Sequence, residues 1–323
     1  MALDAVIIFL GFVGLIWGAD KFVFGASALA RNLGVSPMII GLTIVAFGTS
    51  APEIFSSAAS VIADQPALAI GNAIGSNIFN IGIVLGAAAL IRPLEPPKSL
   101  FRKEVPALML ATLITGILFA NYRIGPWDAA ILIVITVYFG IKLFRRRIRS
   151  IDPTQIETLE DIPEQNLITM GSVRASAYLA LGLLLLILSA EAMVQAATSI
   201  AMSLGVSATI VGLTVIALGT SLPELAATVT CALKGHHELA IGNIVGSNIL
   251  NILAVLPFPG LFAPYTIEKE LLWRDYATML ILTLLLALFC FRAIKHQTKL
   301  GRSYGLIFIL VYCGWFSVVL LHI

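Results

Sequence analysis

Glu53 and Glu224 are the residues of this 323-residue chain whose surroundings most demand a chemical explanation. Each stands in a run of apolar and small residues, and each is preceded by the same hydroxyls. The segment GLTIVAFGTSAPE from Gly41 supplies Thr49, Ser50 and Glu53, and GLTVIALGTSLPE from Gly212 supplies Thr220, Ser221 and Glu224. A second pair of segments follows, LAIGNAIGSNIFNI from Leu68 and LAIGNIVGSNILNI from Leu239, carrying Ser76 with Asn80 and Ser247 with Asn251. Glu53 and Glu224 lie 171 positions apart, and so do Asn80 and Asn251, so the copies align without insertion and record a duplication. An acidic residue at the centre of a membrane helix costs about 2.5 to 3.5 kcal/mol on insertion scales, which makes each glutamate a functional-site hypothesis. Two symmetry-related carboxylates point to one shared site.

Helical spacing predicts that Thr49, Ser50 and Glu53 share one face, with Thr220, Ser221 and Glu224 as their mates, and that Ser76 and Asn80, like Ser247 and Asn251, sit one turn apart. All of these groups offer oxygen. Pro52 and Pro223 lack an N–H, so the carbonyls four residues earlier, at Gly48 and Gly219, lose their helical partner and the helix bends. Such carbonyls are tolerated at membrane depth where they line a cavity or meet an ion. Hard oxygens in this mixture suit calcium, which takes six to eight at about 2.3 to 2.6 Å, and by the same logic sodium. Soft metals are disfavoured, because no cysteine accompanies the site and His236, His237, His296 and His322 fall in connections or at the chain end. Two ionised glutamates carry a charge of −2, which one divalent ion or competing monovalent ions can balance, and that equivalence is a physical basis for exchange.

Several residues have a plainer reading. The glutamates could instead be protonated structural carboxyls, although their symmetric polar neighbours argue for a site. Gly71 with Gly75 and Gly242 with Gly246 have the small-xxx-small spacing of helix-packing surfaces. Asn77 and Asn248 point about 100° away from the adjoining serines on a regular helix, which favours hydrogen bonding between helices over ligation. Asp20 beside Lys21, with Glu191 at the equivalent place, is read as structural pairing or snorkelling, the alternative being an ion path.

These residues require a scaffold inside a membrane. The chain is 59% hydrophobic and 12% charged, with mean hydropathy +0.98, far from the roughly 25% charge of a soluble domain. The fold class expected is an all-α polytopic membrane protein. Ten stretches approach the roughly 20 residues needed to cross a bilayer, near 4–30, 37–62, 67–91, 104–121, 127–144, 175–203, 208–233, 239–263, 275–292 and 304–322. The second, third, seventh and eighth carry the motifs and are rich in Gly, Pro, Ser and Asn, so interrupted helices are expected there. The start, MALDAVIIFLGF, lacks a basic leader region, so the first span is expected to be retained. Cys231, Cys290 and Cys313 have no metal-type spacing and are assigned to packing.

With the N-terminus outside, the inner connections hold sixteen of the twenty basic residues, including Arg92, Lys98, the Arg145–Arg149 cluster and Lys234, while the outer ones hold only Arg123, Lys269 and Arg274. The positive-inside rule therefore places both termini outside. Five spans per copy is an odd number, so the second copy enters from the opposite face, giving two inverted five-helix repeats, the plan of secondary transporters. The first repeat is 1–145 with its motif at 41–81, and the second is 174–323 with its motif at 212–252. Residues 146–173 are a cytoplasmic linker whose Asp152, Glu157, Glu160, Asp161 and Glu164 lack the spacing of a calcium loop.

Taken as a pair, GTSAPE with GNAIGSNIFN and GTSLPE with GNIVGSNILN resemble the two alpha-repeats of the cation/calcium exchanger superfamily, most closely the bacterial sodium/calcium exchanger-like proteins without a large regulatory loop. The resemblance implies calcium held by Glu53 and Glu224 with the carbonyls of Thr49 and Thr220. It also implies flanking sodium sites made by Ser50, Ser76, Ser221 and Ser247 with the carbonyls of Ala46 and Ala217, and a polar position in each copy at Asn80 and Asn251. Some relatives carry an aspartate in one copy of that last position, whereas this chain has asparagine in both.

The function expected is calcium/sodium antiport by alternating access, the long first and sixth spans moving across the motif spans, with Gly11, Gly14, Gly18 and Gly25 letting the first span pack closely yet slide. A proton- or potassium-coupled exchanger of the same fold is the alternative, and a cation channel is less well matched to opposed carboxylates. No HExxH or GxSxG motif is present to suggest an enzyme. The reading calls for no cofactor, no nucleic acid and no obligatory protein partner. Its surroundings are membrane lipid, in a bacterial inner membrane, and its substrates are calcium and sodium.

Overall fold

The computed structural model describes residues 1–149, 170–205 and 217–321, and within them the chain is almost wholly helical. Helix α1 (Ala2–Asn32) is followed by α2 (Pro37–Thr49) and α3 (Ala51–Ile62), then α4 (Pro66–Ile91), α5 (Lys98–Phe119) and α6 (Pro126–Arg149). The second half comprises α7 (Ser172–Ser203), α8 (Ala217–Thr220), α9 (Leu222–Lys234), α10 (His237–Phe262), α11 (Leu271–Lys295) and α12 (Arg302–Leu321). Six of these, α1, α4, α7, α10, α11 and α12, are long and apolar enough to cross a membrane, and α2 with α3 makes a seventh such span, bent by 44°. Linker residues 150–169, with all five of the acidic side chains noted above, and residues 212–216 of the second copy's motif lie outside the described residues. Helix α5 begins at Lys98, so Arg102 and Lys103, expected in a connection, belong to its first turns.

Burial sorts the helices into an inner pair and a surround. In its most apolar stretch α10 is 89% buried and α4 is 72% buried, against 22% for α1 and for α7, so the two spans bearing the asparagine motif form the centre. Small residues permit this. A Cβ added to Gly242 would lie 2.9 Å from the Met38 carbonyl, and one on Gly246 would lie 2.7 Å from the Leu42 carbonyl, so both glycines serve the close approach of α10 to α2. Phe55, Ile117 and Trp127 are exposed on the outside, where a bilayer is the solvent that suits them.

Helices α1 and α7 pack along each other. A Cβ on Gly25 would lie 2.7 Å from the Ala175 carbonyl, one on Gly18 would lie 3.1 Å from the Gly182 carbonyl, and Gly11 and Gly14 face Met193 and Ser189. The glycines of α1 are therefore used to join it to α7, rather than to smooth a face against the motif helices. Two short bridges tie the connections. Residues Arg123–Ile124 (β1) pair antiparallel with Tyr265–Thr266 (β2), and Leu94 exchanges backbone hydrogen bonds with Leu300. Cys231 and Cys290 are buried as packing residues, whereas Cys313 is exposed on the outward side of α12.

Candidate ion site

Both glutamate-bearing spans are interrupted one residue after the threonine. Ser50 (φ −83°, ψ 4°) separates α2 from α3, and Ser221 (φ −91°, ψ 7°) separates α8 from α9. Pro52 and Pro223 fall in the first turn of the new helix, where a missing N–H leaves no bond unmade. Glu53 and Glu224 consequently occupy first turns, at the positive end of the helix dipole, which favours a carboxylate. The single continuous face expected for Thr49, Ser50 and Glu53 is thus replaced by a break, and the break turns the serine hydroxyls across to the other copy.

Ser50 Oγ donates to Glu224 Oε1 at 2.9 Å, and Ser221 Oγ donates to Glu53 Oε1 at 2.9 Å. Ser221 Oγ also lies 3.4 Å from Ser76 Oγ. All of Thr49, Ser50, Glu53, Asn80, Ser221, Glu224, Ser247 and Asn251 are fully buried, Ser76 nearly so, and Thr220 is partly buried. Among the described residues no lysine or arginine pairs with either glutamate, so none of the bases described offsets negative charge here. Ala46 is buried, and its carbonyl already accepts the Ser50 N–H at 2.9 Å. Ala217 opens α8.

Asn72 and Asn243, which the sequence reading passed over, fix the helices that carry the hydroxyls. Asn72 Nδ2 donates to Ser57 Oγ at 2.9 Å and to the Glu53 carbonyl at 3.2 Å, while Asn243 Nδ2 donates to Thr228 Oγ1 at 2.9 Å. Asn243 Oδ1 in turn accepts the Thr49 hydroxyl at 3.1 Å. The signal for them was present, since Asn72 and Asn243 are mates at the 171-residue spacing and so are Ser57 and Thr228.

In α4 and α10 the asparagines meet at the seam between the copies. Asn80 and Asn251 each open a π-helical stretch, Asn80–Leu85 and Asn251–Val255, a local widening often found at functional sites. Asn80 Nδ2 donates to Asn248 Oδ1 and Asn251 Nδ2 donates to Asn77 Oδ1, both at 3.1 Å. Asn77 and Asn248 thus bond between helices, as their angular position predicts. Among the described residues, Glu53 Oε2, Glu224 Oε2, Asn80 Oδ1 and Asn251 Oδ1 are buried oxygens with no hydrogen-bond partner, and Ser247 Oγ shares that condition. Buried acceptors left this way are costly unless a hydrogen-bond donor or a cation meets them. Among the described residues no group of three or more His, Cys, Asp or Glu side chains is placed to hold a metal ion; the unpartnered acceptors named above are carboxylate, amide and hydroxyl oxygens, the donor type favoured by hard cations.

The family profile described as sodium/calcium exchanger protein matches residues 3–144 and 175–321. The chain is 40% identical over 322 residues to the putative antiporter CaxA of Alkalimonas amylolytica, covering 98% of each. It is 35% identical to the inner membrane protein YrbG of Escherichia coli, over 99% of this chain and 97% of that one, and 30% identical to the sodium/calcium exchanger MaX1 of Methanosarcina acetivorans over the whole of both. Among solved structures it matches the sodium-calcium exchanger NCX_Mj, soaked with sodium and strontium, at a TM-score of 0.82 and 31% identity, covering 98% of each chain.

Proposed function

The chain belongs to the sodium/calcium exchanger family and is an integral membrane transporter, not an enzyme; on that premise we propose that it exchanges calcium for sodium by alternating access through one central site held by Glu53 and Glu224. The observation that carries this reading is the set of buried oxygens without partners, one carboxylate oxygen and one amide oxygen from each copy. Two carboxylates with no basic partner among the described residues are balanced by one calcium ion or by sodium ions in its place, so binding one cargo excludes the other. In this reading the Thr49 and Thr220 carbonyls complete the calcium site. Ser50, Ser76, Ser221 and Ser247, with the Ala46 and Ala217 carbonyls, serve sodium.

The scaffold of the reading is ten spans in two inverted repeats of five, residues 1–145 and 174–323 joined by a cytoplasmic linker. Helices α5 and α6, of 22 and 24 residues, and the span ending in α9 are counted with the six long apolar helices and the bent α2–α3 pair. Distribution of positive charge supports both termini outside, in the inner membrane of a bacterium. The moving part is α1 with α7, since the two pack on each other through glycine and present one body to the motif helices.

The test is calcium-45 uptake into liposomes loaded with sodium and diluted into sodium-free buffer. Uptake that requires the outward sodium gradient is the expected result. Uptake driven by a proton or potassium gradient, with none under sodium, would transfer the coupling to that ion, and single-channel currents would replace exchange by conduction.

A further inference from the structure

Asn77 and Asn248 have no part in the cation contacts proposed above, yet they are buried at the seam of the two copies, 1% and 0% exposed. Their hydrogen bonds form two short chains whose polarity is fixed at one end. A backbone carbonyl can only accept, so the end of the Asn77 amide that meets the Asn248 carbonyl at 3.2 Å is Nδ2. Asn77 Oδ1 is left for Asn251, and it accepts Asn251 Nδ2 at 3.1 Å. That contact turns Asn251 Oδ1 the other way, where it has no partner among the described residues.

The mate chain runs in the same sense, although Asn77 Nδ2 also donates to Met279 Sδ at 3.4 Å. Asn248 Nδ2 donates to the Asn77 carbonyl at 3.5 Å, Asn248 Oδ1 accepts Asn80 Nδ2 at 3.1 Å, and Asn80 Oδ1 has no partner among the described residues. Flipping Asn251 would set its Oδ1 against Asn77 Oδ1, two acceptors in a buried place. Flipping Asn77 as well would only move the clash to the Asn248 carbonyl. The polarity of each chain is therefore dictated by a backbone carbonyl two links away from the oxygen it aims.

We propose that Asn77 and Asn248 are positioning residues that hold the amides of Asn251 and Asn80 with their carbonyl oxygens, not their NH2 groups, toward the transported cation. The proposal rests on the central-site reading above and adds to it the origin of two neutral ligands. It also accounts for asparagine in both copies. A carboxylate at position 251 would face Asn77 Oδ1 with a second acceptor, so the two asparagines and their partners are fitted to one another.

The experiment is a double-mutant cycle on the purified full-length protein, with sodium and calcium binding each read by titration calorimetry. Asn77→Leu and Asn251→Leu should each weaken cation binding about tenfold or more, the scale of a lost contact to a charged group. The double variant should bind no more weakly than Asn251→Leu alone, because Asn77 acts through Asn251. A merely structural Asn77 would lower the melting temperature of the cation-free protein and give losses that add to those of Asn251→Leu. Additive losses, or wild-type affinity in Asn77→Leu, would overturn the proposal. Should Asn77→Leu fail to fold, the mate cycle with Asn248→Leu and Asn80→Leu is read for the same outcomes. A protein that binds sodium but not calcium overturns the calcium reading alone, since the cycle can then be read with sodium.

Discussion

The hydroxyl of Ser221 donates to Glu53 Oε1 at 2.9 Å across the boundary between the two copies of the motif. The mate bond, from Ser50 to Glu224, has the same length, so each carboxylate is held in part by the other copy. In the function proposed above, this crossing makes one site out of two motifs and leaves the second oxygen of each glutamate for cargo. Ser221→Ala and Ser50→Ala should therefore each weaken calcium transport, not merely loosen the fold. A hydrogen bond to a charged group is worth about 1.5 to 3 kcal/mol, so the KM for calcium-45 uptake should rise roughly tenfold or more in either variant. An unchanged KM in both would mean that the serines do not shape the site.

Helices α1 and α7 meet through glycine, and at Gly182, as at Gly25, backbone faces backbone at close approach. A Cβ on Gly182 would lie 2.7 Å from the Gly18 carbonyl and 2.7 Å from Phe22 Cα. Gly182→Ala is expected to destabilise the protein by about 1 to 3 kcal/mol, the usual cost of overpacking, whereas Gly314→Ala, with nothing within 4 Å of the added Cβ, should be close to neutral. Thermal unfolding in detergent compares the two. Equal melting temperatures would contradict the paired packing.

Asp20 on α1 accepts from Lys234 at the end of α9, with Oδ1 2.5 Å from Nζ, which ties the α1–α7 pair to a motif-bearing span. Both side chains are about a third or more exposed, so Lys234→Gln should change stability by less than about 1 kcal/mol. The contact matters more for motion. If α1 shifts against α9 during transport, Asp20→Cys with Lys234→Cys, once oxidised to a disulfide, should abolish flux and regain it on reduction, with cation binding retained throughout. Full flux in a fully crosslinked sample would remove sliding of α1 from the mechanism.

Glu95, in the connection before α5, is held below its ordinary value of 4.5, first by the hydrogen bond from Lys299, whose Nζ lies 2.6 Å from Oε1. A lowered carboxyl value stabilises the fold fully above 4.5, and that contribution disappears as pH falls through the lowered value. More than half of each side chain is exposed, so solvent screens the pair to less than about 1 kcal/mol. The melting temperature of Lys299→Gln should lie slightly below the wild type at pH 7 and converge on it as pH falls below 4.5 and through the lowered value. A gap that widens in acid would reverse the sign.

Much of this was legible in the chain itself. The 171-residue offset identified the mates, and hydrogen bonds between the copies join Ser50 to Glu224, Ser221 to Glu53 and Ser76, Asn80 to Asn248 and Asn251 to Asn77. The angle between Asn77 and Ser76 was enough to separate an interhelical amide from the site face. What spacing could not convey was the break at Ser50. Sequence offers proline as a bend, but the direction in which a serine points after the bend depends on the helix packed against it. Asn72 and Asn243 were passed over for a related reason, since their bonds to Ser57, Thr228 and Thr49 run between helices whose relative height no local pattern states. The close packing expected of the glycines of α1 is made against α7, about half the chain away, and not against the motif spans.

The central claim is that one site built from both copies carries the cargo. The measurement that tests it most directly is sodium-gradient-driven calcium-45 uptake by reconstituted wild type, Glu53→Gln and Glu224→Gln, with each variant's melting temperature recorded beside it. The account predicts uptake in the wild type and none in either variant, although both remain folded. A folded Glu53→Gln or Glu224→Gln that transports calcium at the wild-type rate would contradict it.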